Sequence, residues 1–284
     1  MLRAARLVGV LCLAVVGAAC MPPSWAANAL LHPPRRPVSA VAAPTFRSVE
    51  IAVAPDVKLS GWLFPTARPR RGLVVYLHGV ADNRMSGAGI ARHFNPLGFD
   101  VLAYDSRAHG ESGGAACTYG FYEKADVSRV LDAVGGGRVI LFGVSLGAAV
   151  ALQAAPLDDR MALVVAVAPF SDLRTVGRER APFFASQGNI DEAFRLAEAE
   201  AHFRADEVSP VAAAARIKVP VVLLHGAADT DTRPSHSERI YAALAGPKKL
   251  ILVAGAHHQD VLTPGAWAEI DGWVAGNWRE RASD

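Results

Sequence analysis

The residues best suited to chemistry lie in Gly143-Val144-Ser145-Leu146-Gly147. This pentapeptide follows the apolar run Val139–Phe142 and opens a stretch of small residues, A-A-V-A-L-Q-A-A. A serine between glycines at a strand-to-helix turn sits on backbone too tight for neighbouring Cβ atoms. The turn projects the hydroxyl, and the helix N-terminus aims amide donors at the reacting oxygen. A serine hydroxyl is a weak nucleophile at neutral pH, so it needs a base and a group that orients the base. Both are expected later in the chain, in the order acid then histidine, each just past a strand. His225-Gly226-Ala227-Ala228-Asp229 follows the run ending Leu223-Leu224, and Ala254-Gly255-Ala256-His257-His258-Gln259-Asp260 follows Leu250–Val253. Asp229 is the candidate acid, with Asp231 as the fallback. His257 and His258 are adjacent, and residue type alone does not choose between them.

Other chemistries find less support. His225, Asp229, His258 and Asp260 could gather a metal, but the serine–acid–histidine order already explains them, so neither a metal nor a cofactor is expected. The cysteines are Cys12, Cys20 and Cys117, too few for a disulfide scaffold or a Cys-rich zinc site. Cys117 reads as a small packed residue. His32, His93, His202, His225 and His236 have no evident partners and read as exposed or packed residues. No Gly-x-Gly-x-x-Gly follows a first strand and there is no P-loop, so nucleotide binding has no support. Lys and Arg number 29 against 27 Asp and Glu, a net charge of +2. That balance argues against a dedicated nucleic-acid surface.

The elements that must position Ser145 follow from the apolar pattern. Half of the 284 residues are apolar (51%) and a fifth are charged, which excludes disorder for the bulk of the chain. Val49–Ala54 and Val57–Phe64 alternate around Pro55-Asp56, as an antiparallel hairpin does. Leu73–Leu77, Phe99–Tyr104, Val139–Phe142, Leu163–Val167, Val219–Leu224 and Leu250–Val253 are short apolar runs suited to strands buried on both faces. Helix-like stretches at roughly 86–96, 122–134, 146–155, 235–245 and 265–279 separate them. The alternation predicts a mostly parallel, doubly wound α/β sheet with an antiparallel N-terminal hairpin. Residues 170–212 interrupt it with a helix near Ile190–Phe203 and are expected to form a small cap over the site, with a packed surface excursion as the alternative.

The N-terminus reads as an address. Arg3 and Arg6 precede an apolar run from Leu7 to about Met21, too short to span a bilayer comfortably. A basic start, a short apolar run and small residues make residues 1–29 a signal peptide or lipoprotein signal. Cleavage is expected after Ala26 or Ala29, with lipidation of Cys20 or an uncleaved anchor as alternatives. Each places the body outside the cytoplasm: periplasmic, secreted or membrane-anchored. Residues 30–45 are Pro-rich and predict an extended linker. The folded domain is expected over 46–284.

Taken together these segments resemble the serine-type α/β-hydrolases from about Val49 to Trp278. The resemblance is carried by Leu77-His78-Gly79-Val80, by Tyr104-Asp105-Ser106-Arg107-Ala108-His109-Gly110-Glu111-Ser112, by the serine turn and by the acid and base segments. Family members read "HGxxD" before the acid and "GxGH" before the base. Residue by residue, this implies Ser145 as nucleophile, Asp229 as acid and His258 as base, with His257 standing where glycine is usual and remaining the alternative base. It implies an oxyanion hole from the backbone N–H groups of Leu146 and Val80, with Ala81 as the alternative to Val80. Asp105 and His109 are implied to brace the loop beside the serine. Leu30-Leu31-His32-Pro33-Pro34-Arg35-Arg36 resembles the start of exported or membrane-anchored members, esterase-, lipase- or thioesterase-like.

The expected activity is hydrolysis of carboxylic esters or thioesters through an acyl-enzyme, without a cofactor. The expected partner is a small ester or acyl substrate, with no nucleic acid and with membrane association through the N-terminus. A serine peptidase of the same fold, or a binding protein that has lost activity, is the alternative. Natural substrate, acyl-chain length and oligomeric state are not written in the sequence.

Overall fold

The apolar runs become strands because both of their faces find helices to cover them. A computed structural model describes residues 22–39, 44–135 and 137–278. Its eight strands are β1 (Arg47–Ala54), β2 (Val57–Phe64), β3 (Gly72–Leu77), β4 (Phe99–Tyr104), β5 (Val139–Val144), β6 (Met161–Val167), β7 (Val221–Gly226) and β8 (Lys248–Val253). They form one sheet in the order β1-β2-β4-β3-β5-β6-β7-β8. β1 and β2 pair antiparallel, as does β2 with β4, and every later pairing is parallel. This is the α/β-hydrolase fold.

Alternation along each strand sorts side chains into two cores. Leu73, Val75 and Leu77 face one side, where α3 (Glu123–Val134), α4 (Leu146–Ala154) and α8 (Ser235–Ala243) pack. Val74, Tyr76, Ile140 and Phe142 face the other, under α2 (Gly87–Phe94) and α9 (Pro264–Asn277). Register brings Leu77 beside Gly143 and Val144 beside Val167, so the carboxyl ends of β3, β5 and β6 are level. Crevices outside the carboxyl ends of parallel strands are where such sheets bind ligands.

Residues 168–220 leave the sheet between β6 and β7. They contain α5 (Leu173–Arg180), α6 (Gln187–Ala201) and α7 (Pro210–Ala214). Asp172 and Ser186 cap α5 and α6 by accepting from Thr175 and Asn189 N–H.

The N-terminal segment is more structured than a linker. Pro23–Leu31 is a helix, α1, with Pro in its first turn and with Ala27 and Leu31 buried in the main core, packed on α6. Residues 32–36 then run across the domain as a strap. His32 Nε2 meets Glu200 of α6 at 2.7 Å, and its Nδ1 meets the Ala115 carbonyl. Arg35 donates to the carbonyls of His109, Gly110, Ser112 and Gly114. The Pro-rich composition predicts an extended linker here; residues 32–38 carry no helix or strand, and Arg35 ties them to the domain through four carbonyl acceptors. The expected address on Met1–Met21, with Cys12 and Cys20, lies outside the described residues. Among the described residues no helix is long and apolar enough to cross a membrane.

Candidate active site

Ser145 stands between β5 and α4 with φ +52° and ψ −114°, a conformation costly for any residue with a Cβ. The flanking glycines permit it. A Cβ on Gly143 would lie 2.3 Å from the Gly147 carbonyl oxygen, and one on Gly147 would lie 2.0 Å from that of Leu77. Ser145 N–H is anchored on the Val167 carbonyl at 2.8 Å. The turn is therefore fixed from both neighbouring strands.

Three strand ends converge on the hydroxyl. His258 Nε2 is 3.0 Å from Ser145 Oγ, and His258 Nδ1 is 2.6 Å from Asp229 Oδ2. An ionised carboxylate only accepts, so Nδ1 carries the hydrogen and Nε2 is free to accept from Ser145. All three side chains are nearly buried, His258 and Ser145 being 8% exposed and Asp229 4%. Burial alone would raise the Asp229 carboxyl. Hydrogen bonds from His225, His258 and Thr232 N–H outweigh it and hold the group well below the usual carboxylate range. The acid and base loops are tied together by Ala228 N–H on the Ala256 carbonyl and Ala227 N–H on that of Val253.

The two adjacent histidines separate cleanly. His257 is exposed and uses its backbone N–H to reach Asp260, while His258 turns inward. Asp231 supplies backbone rather than carboxylate: its N–H donates to Asp229 Oδ1 and its carbonyl accepts from Arg180 Nε at 2.9 Å. Val80 and Ala81 line the cleft beside Ser145. Leu146 is the first residue of α4, so its N–H has no partner within the helix.

Several contributors lack a clear signal in the sequence. His225 is fully buried, donates from Nε2 to the Thr232 carbonyl at 2.7 Å and approaches Asp229 Oδ2 at 3.2 Å. Its Nδ1 accepts from Ser237. It holds the acid loop in shape. The signal available was its spacing, four residues before Asp229 at the end of a buried strand. His78 donates from Nδ1 to the Gly79 carbonyl and accepts the Ser106 N–H at Nε2, fixing the loop that bears Val80. Burial pushes His78 down, and it pushes His109, whose ring lies 5.0 Å from that of His78, down to about 4. Asp105 is buried against Arg84 and accepts from Glu111 N–H, and Arg84 also pairs with Glu111. These residues brace the loop, as the resemblance implies.

The cleft over Ser145 has a volume of about 620 Å³, and its rim includes Arg36, Asp82, Ser86, Arg180, Asp231 and Gln259. Arg36 pairs with Asp82 at 2.8 Å, so the strap reaches the rim. Among the described residues no group of three or more His, Cys, Asp or Glu side chains is arranged to hold a metal ion. Cys117 is buried, which pushes its thiol well above the ordinary range.

The alpha/beta hydrolase fold family model matches residues 72–205. Protein YqkD of Bacillus subtilis is 33% identical over 195 residues, 65% of this chain and 64% of that protein's length. In structure the chain is similar to the Pyrococcus furiosus esterase Pf2001, with a TM-score of 0.72 and 23% identity over 87% of this chain and 100% of that one. It is also similar to acetyl xylan esterase 1 from Thermoanaerobacterium sp., with a TM-score of 0.68 and 17% identity over 90% and 92% of the two chains.

Proposed function

On the α/β-hydrolase fold and the family model matched over residues 72–205, we propose that the chain is a serine hydrolase of carboxylic esters or thioesters. The observation that carries this reading is the unbroken line of hydrogen bonds from Ser145 Oγ through His258 to Asp229, opening on a cleft.

In the proposed reaction Ser145 Oγ attacks the carbonyl carbon while His258 Nε2 takes its proton. Asp229 keeps Nδ1–H in place and stabilises the imidazolium. The Leu146 and Val80 amides face the oxyanion. Collapse of the tetrahedral intermediate expels the alkoxide or thiolate, which leaves with the proton from His258. Water, activated by the same nitrogen, then hydrolyses the acyl-Ser145 ester. Esters and thioesters are favoured over amides because their leaving groups need less protonation. Structural neighbours that are esterases support a hydrolase of this kind.

From the basic start and short apolar run of residues 1–21 we also infer an exported or membrane-anchored location. Cleavage after Ala26 or Ala29 would cut α1, which packs into the core. That packing favours processing at Cys20 or retention of the whole segment.

The test is a fluorophosphonate label together with a p-nitrophenyl ester series. Labelling and turnover are expected in wild type and His257→Ala, and in neither Ser145→Ala nor His258→Ala. Equal turnover in Ser145→Ala and wild type would sink the proposal.

A further inference from the structure

A second cavity adjoins the cleft. It has a volume of about 320 Å³ and its lining is overwhelmingly apolar, including Trp25 and Leu30 of α1, Val176 of α5, Phe184, and Ile190 and Phe194 of α6. Arg180 lines both spaces. Its guanidinium is pinned on the Asp231 carbonyl and on Thr232 Oγ1, so it cannot swing away without breaking two hydrogen bonds. Arg180 is the residue common to the linings of the polar cleft and the apolar cavity. Tyr119 forms part of the floor and donates its hydroxyl to the Leu30 carbonyl at 3.0 Å, which locks the α1 wall in place. Trp25 and Phe184 of the lining are exposed, and so is the adjacent Phe183, almost completely. Phe183 and Phe184 touch edge to face.

We propose that this cavity binds the acyl chain of the substrate, a linear, unbranched chain of medium length that passes Arg180. The inference rests on the serine-hydrolase reading above. The two spaces suit opposite ends of an ester. The open cleft, rimmed by Arg36, Asp82 and Gln259, suits a polar leaving group and the water that must follow it. The cavity suits the half that stays attached to Ser145 while that water arrives. Its volume is at the low end for small-molecule sites. It offers mostly apolar contact, with Arg180, Asn189 and Tyr119 as the polar residues of its lining. A wall built from the N-terminal helix makes chain-length selection a property of a segment outside the sheet.

Ala29 faces the cavity from an exposed position on α1, whereas Asn28 is exposed and does not line it. Ala29→Trp should therefore fill the cavity without disturbing the core, with Asn28→Trp as the matched control; thermal melts check that both fold. Hydrolysis of p-nitrophenyl acetate, hexanoate and decanoate is measured beside calorimetric binding of decanoate. In wild type, kcat/KM is expected to rise about three- to fourfold per methylene until the cavity is full. Ala29→Trp should lower decanoyl-ester turnover about tenfold or more, keep acetate within about twofold and weaken decanoate binding; Asn28→Trp should change neither. A flat chain-length series, or equal losses on acetate and decanoate, would overturn the assignment. If wild type cleaves no ester, the serine-hydrolase reading fails separately. Decanoate binding that Ala29→Trp removes would then still support the cavity as an acyl site, and its absence would overturn it.

Discussion

The cleft and the cavity on either side of Arg180 are built in different ways. The groups next to Ser145 are held by hydrogen bonds: His258 by Asp229, Asp229 by two backbone amides and His225, and the Val80 loop by His78. These parts come from the ends of β3, β5, β7 and β8. The cavity is assembled from additions to the sheet, α1 on one side and the β6–β7 excursion on the other. It relies on burial rather than on fixed donors. The difference suggests a division in which strand ends set the chemistry and the added helices set which acyl group is accepted.

Variants on the two sides should therefore fail in different ways. The largest effect is expected at the strand ends. Ser145→Ala and Asp229→Asn should each lower kcat by about 10⁴-fold for every ester tested, whatever its chain length. A loss restricted to long esters would break the comparison. Deleting the chain through Leu31 should act on the other side. It removes the buried Ala27 and Leu31 and opens the cavity, so a loss of roughly 3 kcal/mol in denaturant unfolding is expected, together with loss of long-ester preference. Residual acetate turnover by the truncated chain would sharpen the division.

The polar side also carries an acid sensitivity. His109 is neutral in the fold because burial, and then the neighbouring His78, push its pKa down to about 4 from an ordinary value of 6.5. Its contribution is whole above the ordinary value and is lost as pH falls from about 6.5 to about 4, where the unfolded chain is protonated and the folded chain is not. The loss should reach about 3 kcal/mol at pH 4. His109→Asn, whose amide can still donate to the Arg107 carbonyl, should show a flatter stability–pH curve over that window. An unchanged curve would remove His109 from the account. The smallest effect is expected at His225, which touches the acid but not the serine: His225→Gln should lower kcat about tenfold with KM unchanged.

Much of the sheet was legible because buried parallel strands leave uninterrupted apolar runs. Val139–Phe142 and Phe99–Tyr104 fall where β5 and β4 lie, and the hairpin around Pro55-Asp56 pairs as expected. The choice of His258 over His257 was not legible from residue type, since the two differ only in which way the loop turns them. α1 was hidden for a different reason. Its residues, P-S-W-A-A-N-A-L-L, continue the composition of an address, and the helix it packs against begins more than 150 residues later. Arg35 was equally opaque, because its acceptors are carbonyls, and a carbonyl leaves no trace in residue identity.

The place of Trp25 has a consequence for how the protein meets its substrate. Four residues lie between it and Cys20, so the two are at most about 18 Å apart. If the chain is held at Cys20, Trp25, a lining residue of the cavity, stays within about that distance of the anchor point. Encounter with acylated lipids would then be a search in two dimensions at high effective concentration. The same enzyme released into solution would meet them only by dilute three-dimensional diffusion, with its pocket unchanged.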